Sequence, residues 1–177
     1  MSNKIARIFN SLALCTALAI SSSVSAETLS CTEKYDLYTQ AQISWQHDSS
    51  KLAAELLPEY VERLNQYRDI QLASIERHKH AVHTALKHFP EEVSTWGSIN
   101  LWLELSPEQE EKLAKLSPEF KKASALYEEL IAQPVKNDTK DFQFLFRKTA
   151  LSSPEFMQLM EDFNTRSREL NTSPCDK

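Results

Sequence analysis

Glutamate and histidine side chains with the spacing of a metal-binding helix lie in the middle of the chain. Four of the five histidines fall between His78 and His88. Glu76, His80 and His83 are separated by four and three residues, so one face of a helix would carry all three. Carboxylate and imidazole groups bind divalent transition metals, and two-histidine metal motifs use such spacings. The strip is therefore a candidate metal site.

The same strip has a simpler interpretation as a solvated helix face. Asp69 and Lys87 continue it along the helix, and its side chains point away from the apolar stripe described below. A tight metal site also needs neighbouring groups that orient its ligands, and an exposed face seldom provides them. The sequence therefore favours a solvated face and predicts no cofactor, with a divalent transition metal as the alternative.

His78 stands apart from this strip because it falls on the apolar side of the helix, near Arg68 and Gln71. Buried polar side chains are nearly always hydrogen-bonded. We therefore expect a satisfied hydrogen-bond cluster at this position. A role in binding a ligand or in moving protons is the alternative.

Aromatic residues form the second candidate site. Trp96 and Trp102 lie on either side of the single glycine, and Phe142, Phe144 and Phe146 alternate along a later segment. Residues two apart in a helix point in nearly opposite directions, so the three phenylalanines cannot all face one core. Core packing explains most of these residues. A patch that binds a protein partner is the alternative for those left exposed.

Motifs of known catalytic chemistry are missing from the sequence. It contains no Gly-x-Ser-x-Gly, no His-Glu-x-x-His and no glycine-rich phosphate loop, which a single glycine does not supply. It also has no Cys-x-x-Cys-His haem attachment. Adjacent acidic residues such as Glu110 and Glu111 point to different sides of a helix and are not acid–base dyads. The sequence therefore predicts a protein that is not an enzyme.

The elements that would position these residues are helical. Helix-forming residues dominate, and one glycine leaves little for the tight turns of a sheet. Between residues 50 and 89 the apolar residues recur with the helical period, and Pro58 should kink or restart that helix. We therefore predict an all-α fold, a small antiparallel helical bundle with one long kinked helix at about 50–89.

Serine–proline–glutamate sequences mark three further helix starts. Ser106, Ser117 and Ser153 each precede Pro-Glu, which places the serine at the N-cap and the proline at the first helical position. Ser49 or Ser50 is a candidate cap for a helix from residue 51. The predicted helices span about 32–47, 50–89, 91–103, 107–133, 139–150 and 154–171.

The N-terminal residues predict export. Lys4 and Arg7 precede a short apolar stretch at 8–20, and the small residues at 21–26 end in Val-Ser-Ala. This three-part pattern is typical of a cleaved secretory signal peptide, and the apolar stretch is too short for a membrane span. We predict cleavage after residue 26, a single helical domain at 27–177, no membrane span, and a periplasmic or secreted location.

The cysteines agree with export. Cys15 leaves with the predicted signal peptide, so Cys31 and Cys175 remain as an even pair in an oxidising compartment. No Cys-x-x-Cys motif supports a redox pair. We therefore predict a disulfide between them that links the two ends of the mature chain, and an intermolecular bridge is the alternative.

The net charge of the chain indicates which classes of binding partner to expect. The whole chain has a net charge of −5, and loss of Lys4 and Arg7 with the signal peptide makes it −7. An acidic protein without a basic run is a poor match for nucleic acid or for an anionic membrane surface. The expected partner is another envelope or secreted protein, and the oligomeric state stays open.

One short sequence resembles a known family. Residues 105–109, Leu-Ser-Pro-Glu-Gln, are similar to the Leu-Thr-x-x-Gln motif of the Spy/CpxP family of periplasmic stress chaperones. Those are small exported helical proteins that form cradle-shaped dimers around unfolded clients or a sensor. Residues 116–120 carry phenylalanine where a second motif would have glutamine. The resemblance implies a chaperone role.

The sequence as a whole predicts an exported protein that acts by binding another protein. An inhibitor or immunity-type protein and a chaperone or adaptor are the two roles within this class. Acidic inhibitors commonly meet basic targets through complementary charge, which favours the first role slightly. An envelope metal-binding protein that uses Glu76, His80 and His83 is the alternative from another class.

Overall fold

The computed structural model describes residues 28–136 and 141–177, and both ranges are helical. The predicted signal peptide at 1–26 lies outside them. The helices are α1 (Cys31–Leu56), α2 (Val61–His88), α3 (Pro107–Leu116), α4 (Pro118–Ile131), α5 (Phe142–Leu145) and α6 (Pro154–Thr172). Three 3₁₀ turns (Pro58–Tyr60, Pro90–Glu92 and Ile99–Leu101) and one π-helical turn (Phe146–Ala150) lie between them. The all-α prediction is confirmed.

Serine caps begin three helices, as the sequence predicts. The amide N–H groups of Gln109, Phe120 and Phe156 donate to the Oγ atoms of Ser106, Ser117 and Ser153 at 3.3, 3.0 and 3.1 Å. Such caps satisfy amides that have no partner within the first helical turn. Because the cap at Ser117 starts a new helix, the segment predicted as one helix at 107–133 forms α3 and α4.

Proline ends both long helices. Leu57 precedes Pro58 and Phe89 precedes Pro90, and a residue before proline is disfavoured in the α region. Accordingly, Leu57 has φ −135° and ψ 62°, and Phe89 has φ −154° and ψ 62°. The long helix predicted at about 50–89 is present as the turn at Pro58–Tyr60 followed by α2.

Helix α1 continues through the boundary expected near residue 50. The Oγ of Ser49 donates to the backbone oxygen of Trp45 at 2.6 Å, so this hydroxyl is satisfied inside the helix and does not cap one. The true start is a complete capping box at Ser30. There the N–H of Glu33 donates to Ser30 Oγ at 3.2 Å, and the N–H of Ser30 donates to Glu33 Oε2 at 2.9 Å.

Two shorter predicted helices differ from the structure. The segment predicted at 91–103 contains 3₁₀ turns at its ends, and the N–H of Ser94 donates to the backbone oxygen of Trp102 at 2.9 Å. This bond closes a loop in place of a helix. In the segment predicted at 139–150, residue 140 and the residue before it lie outside the described ranges, and the rest forms α5 and the π-helical turn.

The long helices form one antiparallel layer in the order α6, α1, α2, α4. Helix α1 packs against α2 and α6, and α2 also packs against α4. The register of α1 against α2 is marked by Asp36, whose Oδ1 lies 3.0 Å from His83 Nε2. The register of α2 against α4 is marked by Arg77, whose Nε donates to Ser124 Oγ at 3.3 Å. Helices α4 and α6 therefore occupy the two edges.

Two apolar clusters hold the layer together. One lies at the disulfide end, under the loop from α2 to α3, and its large buried side chains include Tyr35, Val82, Trp102, Leu113 and Phe120. The other lies at the opposite end of α1 and α2, and it contains Ala53, Leu57, Tyr60, Leu64, Phe142, Ala150 and Phe156. Full burial of a leucine, valine or phenylalanine side chain in these clusters contributes about 1.5–3 kcal/mol.

The predicted disulfide links Cys31 to Cys175, with Cα atoms 4.9 Å apart. Two backbone bonds reinforce it, because the N–H of Cys31 donates to the oxygen of Asp176 at 2.7 Å and the N–H of Asp176 donates to the oxygen of Leu29 at 3.0 Å. We call these four residues, with Ser30, the terminal clasp. It fixes the C-terminal end of α6 to the start of α1.

Lysine side chains attach the clasp to its surroundings. Lys34 Nζ donates to the oxygen of Ser173 at 2.6 Å. Lys177 Nζ donates to the oxygens of Pro90 and Val93 at 2.7 and 2.9 Å. The C-terminal residues are therefore bound to α1 and to the turn that follows α2.

Candidate functional site

An apolar groove of about 450 Å³ lies above the second cluster. It runs between α1, α2, α6 and residues 142–151, which comprise α5, the π-helical turn and the next residue and are called the α5 segment. We call it the aromatic groove. Its lining is Trp45, Gln46, Ser49, Ser50, Ala53, Leu64, Tyr67, Arg68, Phe142, Phe146, Leu151, Phe156 and Met160. The volume falls within the range of small-molecule and side-chain binding pockets.

Phe142 forms the centre of the groove's aromatic wall. Its ring centroid lies 5.1 Å from that of Tyr60, 6.2 Å from that of Tyr67 and 5.7 Å from that of Phe146. The guanidinium carbon of Arg63 lies 4.1 Å from the Phe142 ring centroid, which adds a cation–π contact to the packing. These contacts hold the short α5 segment against α2.

Trp45 connects the groove to α6. Its ring lies 5.4 Å from Phe156 in an edge-on arrangement and 5.6 Å from Phe163 in a stacked one. Phe146 meets Phe156 edge-on at 6.1 Å. Each such pair contributes about 0.5–1.5 kcal/mol beyond area burial. The groove is therefore a connected set of rings from α1, the α5 segment and α6.

Three apolar side chains at the mouth of the groove remain accessible. Tyr67, Leu151 and Met160 keep 43%, 41% and 44% of their surface exposed although they line the groove. Phe142 and Phe156 below them are buried. A buried aromatic floor under half-exposed apolar side chains is a surface on which a further apolar group would lose contact with water.

The predicted aromatic residues separate into three groups. Phe142 and Phe146 line the groove. Trp102 is buried in the disulfide-end cluster, where its ring stacks 5.7 Å from Tyr35. Trp96 is 90% exposed and Phe144 is 64% exposed, and neither lines the groove.

Sequence reasoning missed most of the other groove residues. Trp45, Ser49 and Ala53 follow one another at intervals of four in α1, and Phe156 and Met160 do so in α6. This spacing puts each set on one helix face. The spacing was visible in the sequence, but nothing there indicated that the two faces meet over Phe142.

The histidine strip of α2 pairs with carboxylates in the structure. His80 Nε2 lies 3.1 Å from Glu76 Oε1 within the helix. His83 Nε2 instead lies 3.0 Å from Asp36 Oδ1 on α1, and Lys79 Nζ lies 3.6 Å from the same oxygen. Within residues 28–136 and 141–177, no group of three or more His, Cys, Asp or Glu side chains is arranged to hold a metal ion. The metal site stays a prediction.

Burial lowers the pKa of two histidines in α2. For His83, burial outweighs the Asp36 carboxylate, which acts in the opposite direction. For His78, burial likewise outweighs a hydrogen-bond contact of Nδ1 with the oxygen of Ser74 at 3.2 Å. His78 thus has a hydrogen-bond partner, as expected, but the partner lies in its own helix; Arg68 bonds to Asn65 and Asp69 and does not form the expected cluster with His78.

The described helices include none that is long and apolar enough to span a membrane. The disulfide is consistent with an oxidising compartment. Comparisons of the chain with protein-family models, with curated proteins and with solved structures found no match.

Proposed function

We propose that this protein is an exported binding protein that holds an apolar segment of another protein in the aromatic groove. The observation that carries this proposal is the groove's construction, in which half-exposed Tyr67, Leu151 and Met160 surround the buried rings of Phe142 and Phe156. Aromatic and methionine side chains are enriched in the cores of protein interfaces. Residues that form such pockets commonly supply most of the binding free energy.

The predicted location agrees with this role. The disulfide is consistent with an oxidising compartment, which export would provide. An inhibitor would hold one target in the groove, whereas a chaperone would hold many unfolded clients. The groove is compatible with both roles, and the number of partners separates them.

Site-specific photo-crosslinking tests the proposal. A benzoylphenylalanine residue replaces Leu151 at the groove mouth, and in a matched control it replaces Leu126, which is 50% exposed on α4 and lies outside the groove. Each variant is expressed in the cells that naturally make this protein, and the intact cells are irradiated. We expect protein adducts from position 151 and few from position 126.

The adducts also identify the role. One adduct of discrete mass indicates an inhibitor or immunity-type protein, and a broad set of adducts indicates a chaperone. Equal labelling at both positions, or no protein adduct at position 151, would contradict the proposal.

A further inference from the structure

We propose that the partner segment held in the aromatic groove carries a carboxylate beside its apolar side chains, and that Arg68 binds this carboxylate. The inference rests on the function proposed above and specifies the partner's chemistry. Arg68 is the only charged side chain among the described residues that line the groove. The carboxylate of Asp69 forms an ion pair with Arg68 at 2.8 Å, but Asp69 itself does not line the groove.

The hydrogen bonds of Arg68 leave part of its guanidinium unused. Its Nε and Nη2 donate to Asp69 Oδ1 at 3.0 and 2.8 Å, and its Nη1 donates to Asn65 Oδ1 at 2.9 Å. A guanidinium has five N–H groups. Two of them, one on Nη1 and one on Nη2, have no hydrogen-bond partner within the described parts of the chain.

The existing bonds also orient the side chain. Asn65 and Asp69 belong to the same helix as Arg68, so α2 itself sets the position of the guanidinium at the groove wall. A carboxylate that meets an oriented guanidinium forms charge-assisted hydrogen bonds, which are about twice as strong as neutral ones. The side chain of Arg68 is 28% exposed, so a ligand can reach it while the apolar lining reduces the screening by water.

The acidic net charge of the chain acts over longer distances than a direct contact with Arg68, so it does not exclude an acidic segment in the groove. Exposed charges are screened beyond about 10 Å in 0.1 M salt, whereas Arg68 would act at contact. The partner as a whole can therefore be basic while the segment in the groove is locally acidic. A lysine in that segment carries only donors and cannot accept from the two remaining N–H groups of Arg68, and this difference gives the groove specificity.

Fluorescence anisotropy with three synthetic peptides tests this inference. Each is a 12-residue amphipathic peptide, labelled with rhodamine, that has the same leucine and phenylalanine face and carries glutamate, glutamine or lysine beside that face. The proteins are the full disulfide-bonded chain and its variants Arg68→Gln, Arg68→Lys and Leu151→Asn. Arg166→Gln, on α6 and outside the aromatic groove, is the matched control.

We expect the unaltered protein to bind the glutamate peptide about tenfold more tightly than the glutamine peptide, because hydrogen bonds between two charged groups are stronger than those to a neutral amide. The lysine peptide should bind most weakly. Arg68→Gln should abolish this preference, Arg68→Lys should keep part of it, and Arg166→Gln should keep all of it. Equal affinities for the three peptides, or a preference that survives Arg68→Gln, would overturn the inference.

The Leu151→Asn variant separates this inference from the proposed function. If apolar binding occurs in the groove, the variant should weaken all three peptides alike, including the uncharged one. If Leu151→Asn lowers the affinity for all three peptides and Arg68→Gln does not change the order of the three affinities, the groove binds proteins but the carboxylate inference is wrong. When none of the peptides binds the unaltered protein, both proposals fail.

Discussion

Single residues of α2 show how a partner on another helix changes the chemistry of a side chain. In sequence, Glu76, His80 and His83 form one equivalent strip. In the structure, His80 stays with Glu76 in its own helix, while His83 meets Asp36 of α1. The second contact depends on the packing of two helices that are far apart in sequence at this point, and so it was not predictable from spacing.

The lowered pKa values of His78 and His83 predict a pH dependence of stability. Burial disfavours the protonated ring of both histidines in the folded state. In the unfolded chain these histidines have their ordinary pKa of 6.5, so below that pH the unfolded state binds more protons than the folded state. The free energy of unfolding should therefore be highest above pH 6.5 and should decrease as the pH falls below it. Urea unfolding at pH 7.5 and 5.5 measures this difference.

Substitution of His78 or His83 tests whether these two residues cause the pH dependence of stability. In His83→Gln and His78→Gln the decrease in unfolding free energy between pH 7.5 and 5.5 should be smaller than in the unaltered protein. His47→Gln, at an exposed position of α1, is the control and should retain the full decrease. A decrease that is the same in all variants would assign the pH dependence to other groups.

At the scale of elements, local sequence set most helix boundaries. Ser-Pro-Glu at 106, 117 and 153 predicted three starts, and the structure contains the corresponding caps. These signals work because a cap depends on residues within a single turn. The signal at Ser49 failed because its hydroxyl has an equally local alternative, the carbonyl of Trp45 four residues earlier.

The cap at Ser153 should support both stability and the groove. Its Oγ accepts from the N–H of Phe156, whose ring forms part of the groove floor. We expect Ser153→Ala to lower the free energy of unfolding by about 1 kcal/mol and to weaken peptide binding. Urea unfolding monitored by circular dichroism gives the first quantity.

Aspartate provides the control for this substitution, because it is as good an N-cap as serine. Ser153→Asp should therefore be close to the unaltered protein in stability. If the alanine and aspartate variants lose the same stability, the cap is not the cause.

The α5 segment shows which features of side-chain packing helical periodicity can predict and which it cannot. Phe142 and Phe146 are four residues apart and share a face, whereas Phe144 points elsewhere and is exposed. The sequence indicated that the three phenylalanines would not all face the same core. It did not indicate which of them face a core, because that depends on the contacts of this short segment with α2 and α6.

At the scale of the whole molecule, the disulfide fixes the edge helix α6 to its neighbour α1. Helix α6 packs on α1, and the bond from Cys31 to Cys175 ties its end across a sequence separation of 144 residues. Chain-entropy arguments assign up to about 5 kcal/mol to the closure of a loop of this length. The terminal clasp thus secures the helix that carries one side of the aromatic groove.

Removal of the disulfide should destabilise the whole chain. We expect the double variant Cys31→Ser and Cys175→Ser to lose about 2–5 kcal/mol in the free energy of unfolding. Guanidinium unfolding under non-reducing conditions measures it, and the same measurement with reductant added isolates the effect of the bond. If reductant lowers the stability of the double variant as much as that of the unaltered protein, the disulfide is not responsible.

The sequence by itself determined the helical class, the serine caps and the cysteine pair. Each of these follows from composition, from residues within one turn of each other, or from counting cysteines. Tertiary structure alone decided the aromatic groove, because Trp45, Tyr67 and Phe142 come from three different elements. It also decided the partner of His83. Contacts of this kind depend on the relative register of packed helices, and that register is set by the two apolar clusters together.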